Sequence, residues 1–263
     1  MGNLLNAEIF KAVKRPATWI MLVILALIVA AFYAIVYFAV DDPATDLSLR
    51  PTEIVNNGYA IGANIASILV IVFAAQLMGS EYGWGTIRAL ASRASSRSAL
   101  IVSKLILLAG YTLLTLVVTA AVAIISALVF SAIAGNETSI PGDAWVDYAQ
   151  AIGRYMLANG VYAVLALVIT ILSRSTAAGI AGGIALSFLE IAIWEILAAI
   201  TDVFQTIREY FLGYNVQGLA AAATDQQVDD FDITRGVIIV SVWLIALLAI
   251  SFYVFRRRDI TSG

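Results

Sequence analysis

Six long apolar runs decide what this chain can fold into. They cover residues 17–40, 59–79, 105–134, 155–172, 176–200 and 236–255. A membrane-crossing helix needs about 20 consecutive apolar residues, and each run meets or approaches that length. The runs are rich in Leu, Ile, Val and Ala rather than alternating apolar with polar side chains. Helices therefore fit them and an outer-membrane barrel does not. The first run is 24 residues long and free of charge. A cleaved signal peptide has an apolar core of about 7–15 residues, so this run is expected to stay as a span. Composition supports the same reading. The chain is 62% hydrophobic and 13% charged, where soluble proteins are nearer half and a quarter. An ordinary globular protein, a disordered chain and a nucleic-acid binder are excluded.

Chemistry is narrowed by what is missing. With no Cys and no His, the chain has no disulfide, no thiol nucleophile, no Cys or His metal ligand and no Ser-His pair. A catalytic role is not expected, and a metal site is not either.

Lys and Arg set the expected orientation. Eleven of the fifteen lie on one set of segments: Lys11, Lys14, Arg15, Arg88, Arg93, Arg97, Lys104, Arg174, Arg256, Arg257 and Arg258. Arg50, Arg154, Arg208 and Arg235 lie on the other set, together with thirteen of the acidic residues. The expected fold is an all-α polytopic membrane protein, 1–263 as a single transmembrane domain. It has six transmembrane helices and both termini on the cytoplasmic side.

Between the spans, two cytoplasmic stretches carry more pattern than a linker needs. Residues 1–15 read as an amphipathic interfacial helix, with Leu5, Ile9, Ala12 and Val13 on one face and Glu8, Lys11, Lys14 and Arg15 opposite. Its cations are expected at anionic head groups, and Pro16 ends it. The loop 80–98 combines Glu81, Trp84, Gly85 and Thr86 with an Ile87/Leu90 pair at i, i+3 spacing and with Arg88, Arg93 and Arg97. A solvated basic loop would account for the arginines alone. The rest reads as a short docking helix parallel to the membrane.

Glu81-x-x-x-Gly85-Thr86, followed by Ser96-Arg97 and then Lys104 at the start of a span, resembles the loop between the second and third spans of ABC-2 type permeases. These are the membrane subunits of type V ABC transporters. The amphipathic first helix resembles their connecting helix, and the 173–179 stretch resembles their tight turn between the fourth and fifth spans. The likeness runs in order along essentially the whole chain. One departure is Ala94, near a place where many members carry Pro. The resemblance implies that Glu81, Gly85, Thr86, Ile87, Arg88, Leu90 and Arg97 couple the permease to an ATPase. The chain has no Gly-x-x-x-x-Gly-Lys-Ser/Thr motif. It is thus expected to hold no cofactor, with ATP and Mg on a separate ATPase subunit present in two copies. A second permease copy is the other expected partner, besides membrane lipids. The first and fifth spans would form the contact, the fifth through Ala177, Ala178, Gly179, Ala181, Gly182 and Gly183. Function would be export of a drug-like, peptide or lipid molecule across the cell membrane of a bacterium or archaeon. The competing expectations are an autonomous six-helix transporter or channel and a carboxylate-dependent membrane enzyme.

Two features remain on the outer half. Segment 201–234 holds apolar clusters over 203–212 and 219–223, expected as two short helices dipping back into the outer leaflet, with an external cap as the alternative. The fifth span holds Glu190 and Glu195. Glu195 is placed to reach the interface. Glu190 is deeper and costly in lipid, so it is expected to face a substrate pathway, with Trp194 four residues on as an aromatic wall. The alternative is Glu190 hydrogen-bonded to a neighbouring helix in a packing role. The two glutamates do not share a helix face, which disfavours paired-carboxylate hydrolysis.

Overall fold

In the computed structural model, residues 2–39, 51–86, 97–136, 138–142, 144–224 and 231–257 are described. Among them the chain forms nine helices and no strand. They are α1 (Gly2–Lys14), α2 (Pro16–Ala39), α3 (Pro51–Gly83), α4 (Arg97–Ala134), α5 (Ala144–Ser173), α6 (Thr176–Ala198), α7 (Asp202–Arg208), α8 (Leu212–Ala222) and α9 (Ile233–Arg257). Six of these, α2 to α6 and α9, are long and apolar enough to cross a membrane. The chain is a membrane-embedded, all-helical protein.

Helix ends follow local chemistry. Pro16 opens α2, where the missing N–H costs nothing. Gly135 closes α4 at φ 77°, and the Asn136 N–H donates to the Ser131 carbonyl at 2.9 Å, a Schellman-type closure. Between α5 and α6 only two residues intervene. Arg174 takes a left-handed φ of 56°, and the Ser175 hydroxyl caps α6 by accepting from the Ala178 N–H. Helices α3, α4 and α5 extend well beyond the apolar runs that mark them in the sequence. Hydropathy registers only the lipid-facing core, while the helical hydrogen bonds continue through the polar residues at its edges.

The centre of the bundle is α3 with α5. More than half of each span is buried inside the protein, against 11% for α6 and 17% for α9. Helix α3 touches α2, α4, α5 and α6. Polar bonds cross this centre: the Asn159 Nδ2 of α5 donates to the Ala63 carbonyl of α3 at 3.1 Å. Small residues bring α6 in. A Cβ on Gly183 would stand 2.8 Å from Ala166 and Ile71, and one on Gly179 would collide with Thr170. Part of the small-residue stripe expected at a dimer contact is therefore used within the chain, packing α6 on α5 and α3. Ala177 and Ala181 stay exposed. The outer faces of α2, α6 and α9 present large apolar side chains such as Leu27, Phe38, Phe188, Ile196 and Ile245. In lipid, such exposure carries no hydrophobic penalty.

The helices alternate in direction. Phe255 at the end of α9 packs with Met78, Leu100, Ile101, Leu167 and Ile171, and Gly79 meets Thr176. The starts of α2, α4 and α6 thus gather with the ends of α3, α5 and α9. At the opposite end, Tyr33 of α2 lies against Gly58 of α3. Both termini of the described helices lie at the end that carries Lys11, Lys14, Arg15, Lys104, Arg174, Arg256 and Arg257.

Candidate functional site

At that basic end, α1 lies against the junction of α3 and α4 through a buried set of charges. Lys104 Nζ, only 1% exposed, donates to Glu8 Oε2 at 2.9 Å and to the Leu77 carbonyl at 2.8 Å, and stands 3.5 Å from Glu81 Oε1. Lys11 Nζ bridges the same two carboxylates, at 3.1 Å from Glu8 and 2.9 Å from Glu81. Two carboxylates and two ammonium groups balance. Burial alone would lower the Lys11 pKa, but the hydrogen bonds it donates to Glu81 and Glu8, with the negative charge of both, outweigh it and hold the ammonium above its ordinary value. The Thr86 hydroxyl donates to Glu81 Oε2. Arg15 adds a second tie: its Nη2 donates to Ser80 Oγ at 3.0 Å, and its guanidinium lies 5.2 Å from the Trp84 ring.

This arrangement corrects the expected placement of the α1 cations. Glu8 is buried and Lys11 and Arg15 face the protein, while Ile9, Phe10 and Val13 on the other side are exposed. The helix turns Ile9, Phe10 and Val13 outward and Glu8, Lys11 and Arg15 inward beside the buried Ala12, so much of its charge meets protein rather than solvent. A membrane interface accommodates both faces: lipid takes the apolar one and α3–α4 neutralises the polar one. Of the expected cations, Lys14 remains exposed, 5.6 Å from the Phe10 ring.

The expected coupling residues divide accordingly. Glu81 is 2% exposed and engaged within the chain, so it fixes the loop rather than presenting a free carboxylate. Gly85 and Thr86 follow in an exposed turn, with Gly85 at φ 67°, a conformation that favours glycine. Ile87, Arg88 and Leu90, and with them the expected docking helix, lie outside the described residues, as does the side chain of Arg97. Glu8 and Lys104 were the members that the spacing did not mark as site residues. Lys104 enters the sequence reading only as the lysine that follows Ser96-Arg97 at the start of a span, and Glu8 only as a polar residue of the amphipathic helix.

At the opposite end, Glu190 and Trp194 meet the same object. Glu190 Oε1 accepts from the Gly213 N–H at 3.0 Å, the second residue of α8, whose own N-cap residue Phe211 supplies no side-chain cap. The Trp194 ring packs 4.2 Å from that of Phe211. Gly213 allows the approach, since a Cβ there would sit 2.8 Å from Ile191. At the other end of α8, Arg154 donates to the Ala222 carbonyl. A carboxylate from α6 thus holds the N-terminus of α8 and a guanidinium from α5 its C-terminus, both matching the helix dipole. The expected pair of short helices is present as α7 and α8, and α8 packs against α5, α6 and α9.

Beside α8 is an open cavity of 840 Å³ lined by residues of α3, α5, α6, α7 and α8. Its lining takes in Glu195 and Arg208 but neither Glu190 nor Trp194. Those two pack on the end of α8 instead. Glu195 Oε1 accepts from Arg208 Nη1 of α7 at 2.9 Å, with the Glu195 side chain 59% exposed. Among the described residues no group of three His, Cys, Asp or Glu side chains converges as a metal ion would require.

These features define an α-helical polytopic membrane protein with an ion-paired interfacial helix at one end and a charge-capped accessory helix at the other. Residues 20–261 match the family described as protein of unknown function (DUF2705), and the chain belongs to that family. No curated protein matches it.

Proposed function

We propose that the chain is the membrane-spanning permease subunit of an ABC exporter, worked by ATP hydrolysis on a separate subunit. One observation carries this reading. The amphipathic helix and the loop that resembles an ATPase-docking element are locked together by Glu8, Lys11, Glu81 and Lys104. A push on that loop therefore moves α1, α3 and α4 as one body. In an autonomous channel such a lock has no input to transmit. Two ATPase copies would dock on two permease copies, each at its basic end, in the cell membrane of a bacterium or archaeon. The exposed faces of α2 and α6 would meet across the pathway. ATP-driven closure of the ATPase pair would draw the two locks together at the cytoplasmic side and part the spans at the other. Substrate would leave past α8.

The cavity supports transport more generally, because Asn64 and Asn159 of the spanning helices α3 and α5 give it polar groups and the Glu195–Arg208 pair stands at its rim. The test is affinity isolation of the tagged chain from its native membranes in mild detergent. A nucleotide-binding ATPase should co-purify in equal numbers with it, and Glu81→Ala should lower that yield or uncouple hydrolysis. Recovery of the chain alone, in several detergents and in polymer-excised membrane, would leave the autonomous transporter as the reading.

A further inference from the structure

We infer that Glu190 is a two-position switch for α8. It holds the N-terminal end of that helix in the present arrangement, and passes to the Tyr162 hydroxyl when that end lifts away from α6. The inference stands whether or not an ATPase drives the chain.

Three observations carry it. First, α7 and α8 form one unit with a fixed end and a held end. The Asn215 Nδ2 of α8 donates to the Glu209 and Phe211 carbonyls at 2.8 and 2.7 Å, which sets the corner between the two short helices. The far end of α8 is anchored by Arg154 on the Ala222 carbonyl. Nearby, Gly218 lies so close to Phe231 that a Cβ would collide with the ring. The N-terminal end has no side-chain cap of its own. Its polar tie to α6 is the Glu190 carboxylate on the Gly213 N–H at 3.0 Å, beside the Trp194–Phe211 ring contact.

Second, the seated unit encloses polar atoms that bond nothing. Five buried side-chain polar atoms have no hydrogen-bond partner among the described residues. Three of them belong to this seat: Asn215 Oδ1, Arg208 Nε and the Tyr162 hydroxyl. Tyr162 of α5 packs in the same apolar cluster as Leu212 and Leu219 of α8. Buried polar atoms are nearly always paired, and each unpaired one raises the free energy of the arrangement that encloses it. Lifting the unit opens Asn215 and Arg208 to water, which offsets part of the packing lost. That places the seat at the low-stability end of the fold, from which moving elements are drawn.

Third, a released Glu190 has a replacement donor beside it. The Tyr162 hydroxyl feels the Glu190 charge across the α5–α6 contact yet donates to nothing. A carboxylate that loses a backbone N–H within a span needs another partner, and the phenol supplies one. Glu190 is hydrogen-bonded in both positions, so the helix has two discrete arrangements rather than a continuum. Helix α8 walls the open cavity through Tyr214, Val216 and Gln217, so the switch sets how wide that cavity stands.

The experiment is hydrogen–deuterium exchange of the full chain in phosphatidylcholine nanodiscs, read by mass spectrometry of peptides from α8 and from the buried centre of α5. In the unaltered protein, amides of 212–222 should exchange faster than those of 158–171. Glu190→Gln keeps an acceptor but deletes the charge, and should speed α8 exchange about five- to tenfold. Tyr162→Phe should slow it about fivefold. It removes the unpaired hydroxyl from the seated form and the replacement donor from the lifted one. In the Glu190→Gln background the Tyr162→Phe effect should shrink, as a coupled pair requires. Exchange in 158–171 should stay unchanged throughout, which shows that the variants fold. Slowing by a near-isosteric variant cannot come from misfolding, so that arm is decisive by itself. A Tyr162 that only packs would leave α8 exchange unaltered or faster when changed to Phe, and either result would overturn the switch. So would α8 exchange that ignores Glu190→Gln, full additivity of the two changes, or equal exchange of α8 and α5 in the unaltered protein.

Discussion

Lys104 is the residue on which the basic end depends. Its ammonium is surrounded by the Glu8 and Glu81 carboxylates and the Leu77 carbonyl, and its stem is fully enclosed. Removing one member of such a buried cluster leaves the others uncompensated, at a cost of about 3–5 kcal/mol. Lys104→Met and Glu81→Ala should each lower the thermal unfolding midpoint and free α1 to move. The double variant Glu8→Gln with Lys104→Gln should be less destabilised than the sum of its singles, read from a double-mutant cycle. Full additivity would mean that the two side chains do not interact. The Lys11 contribution has a defined pH window. Its folded-state value is raised above 10.5, so the stabilisation is complete below 10.5 and is lost as pH rises through the folded value. Spin-label mobility on α1 should therefore stay constant across neutral pH and rise only above that range.

At the scale of elements, α8 shows what the sequence could and could not disclose. The spacing of Glu190 and Trp194 puts them on one helix face, and the cost of a deep carboxylate leads to the expectation that Glu190 faces a substrate pathway, with a hydrogen bond to a neighbouring helix as the alternative. The partner is a backbone N–H of a short helix twenty-three residues away in sequence. No periodicity reveals such a contact, because it belongs to tertiary packing. The spans were legible for the opposite reason: their apolar length is a property of contiguous sequence. The inward turn of the α1 charges was hidden because an amphipathic pattern gives two faces without saying which one meets protein. Gly213→Ala should displace α8 and destabilise the protein by about 1–3 kcal/mol, as overpacking does. Glu190→Gln should cost about 1–2 kcal/mol through loss of the charge at the α8 N-terminus while preserving the hydrogen bond to Gly213. Thermal unfolding in detergent reads both. If Glu190→Gln leaves stability untouched and alters transport alone, the capping role is wrong.

For the whole molecule, the alternation of helix direction puts both described termini at the basic end, and the positive-inside bias predicts that this end faces the cytoplasm. Reporter fusions after Gly263 and within 224–232 should report opposite sides of the membrane. The same side for both would break the six-span arrangement. The proposed division of labour follows from this polarity: ATPase contact at the basic end and substrate exit at the other. The most direct measurement exploits the absence of cysteine from the chain. Gly83 ends α3 beside the lock, and a side chain there would meet nothing within 4 Å. Gly83→Cys therefore provides a single attachment point for a photoactivatable cross-linker in native membranes. The expected product is a covalent adduct with a nucleotide-binding ATPase subunit, lost when Glu81→Ala is added. Adducts only with lipid, or with no ATPase under conditions where the protein is active, would contradict the assignment of this chain as an ATP-driven permease.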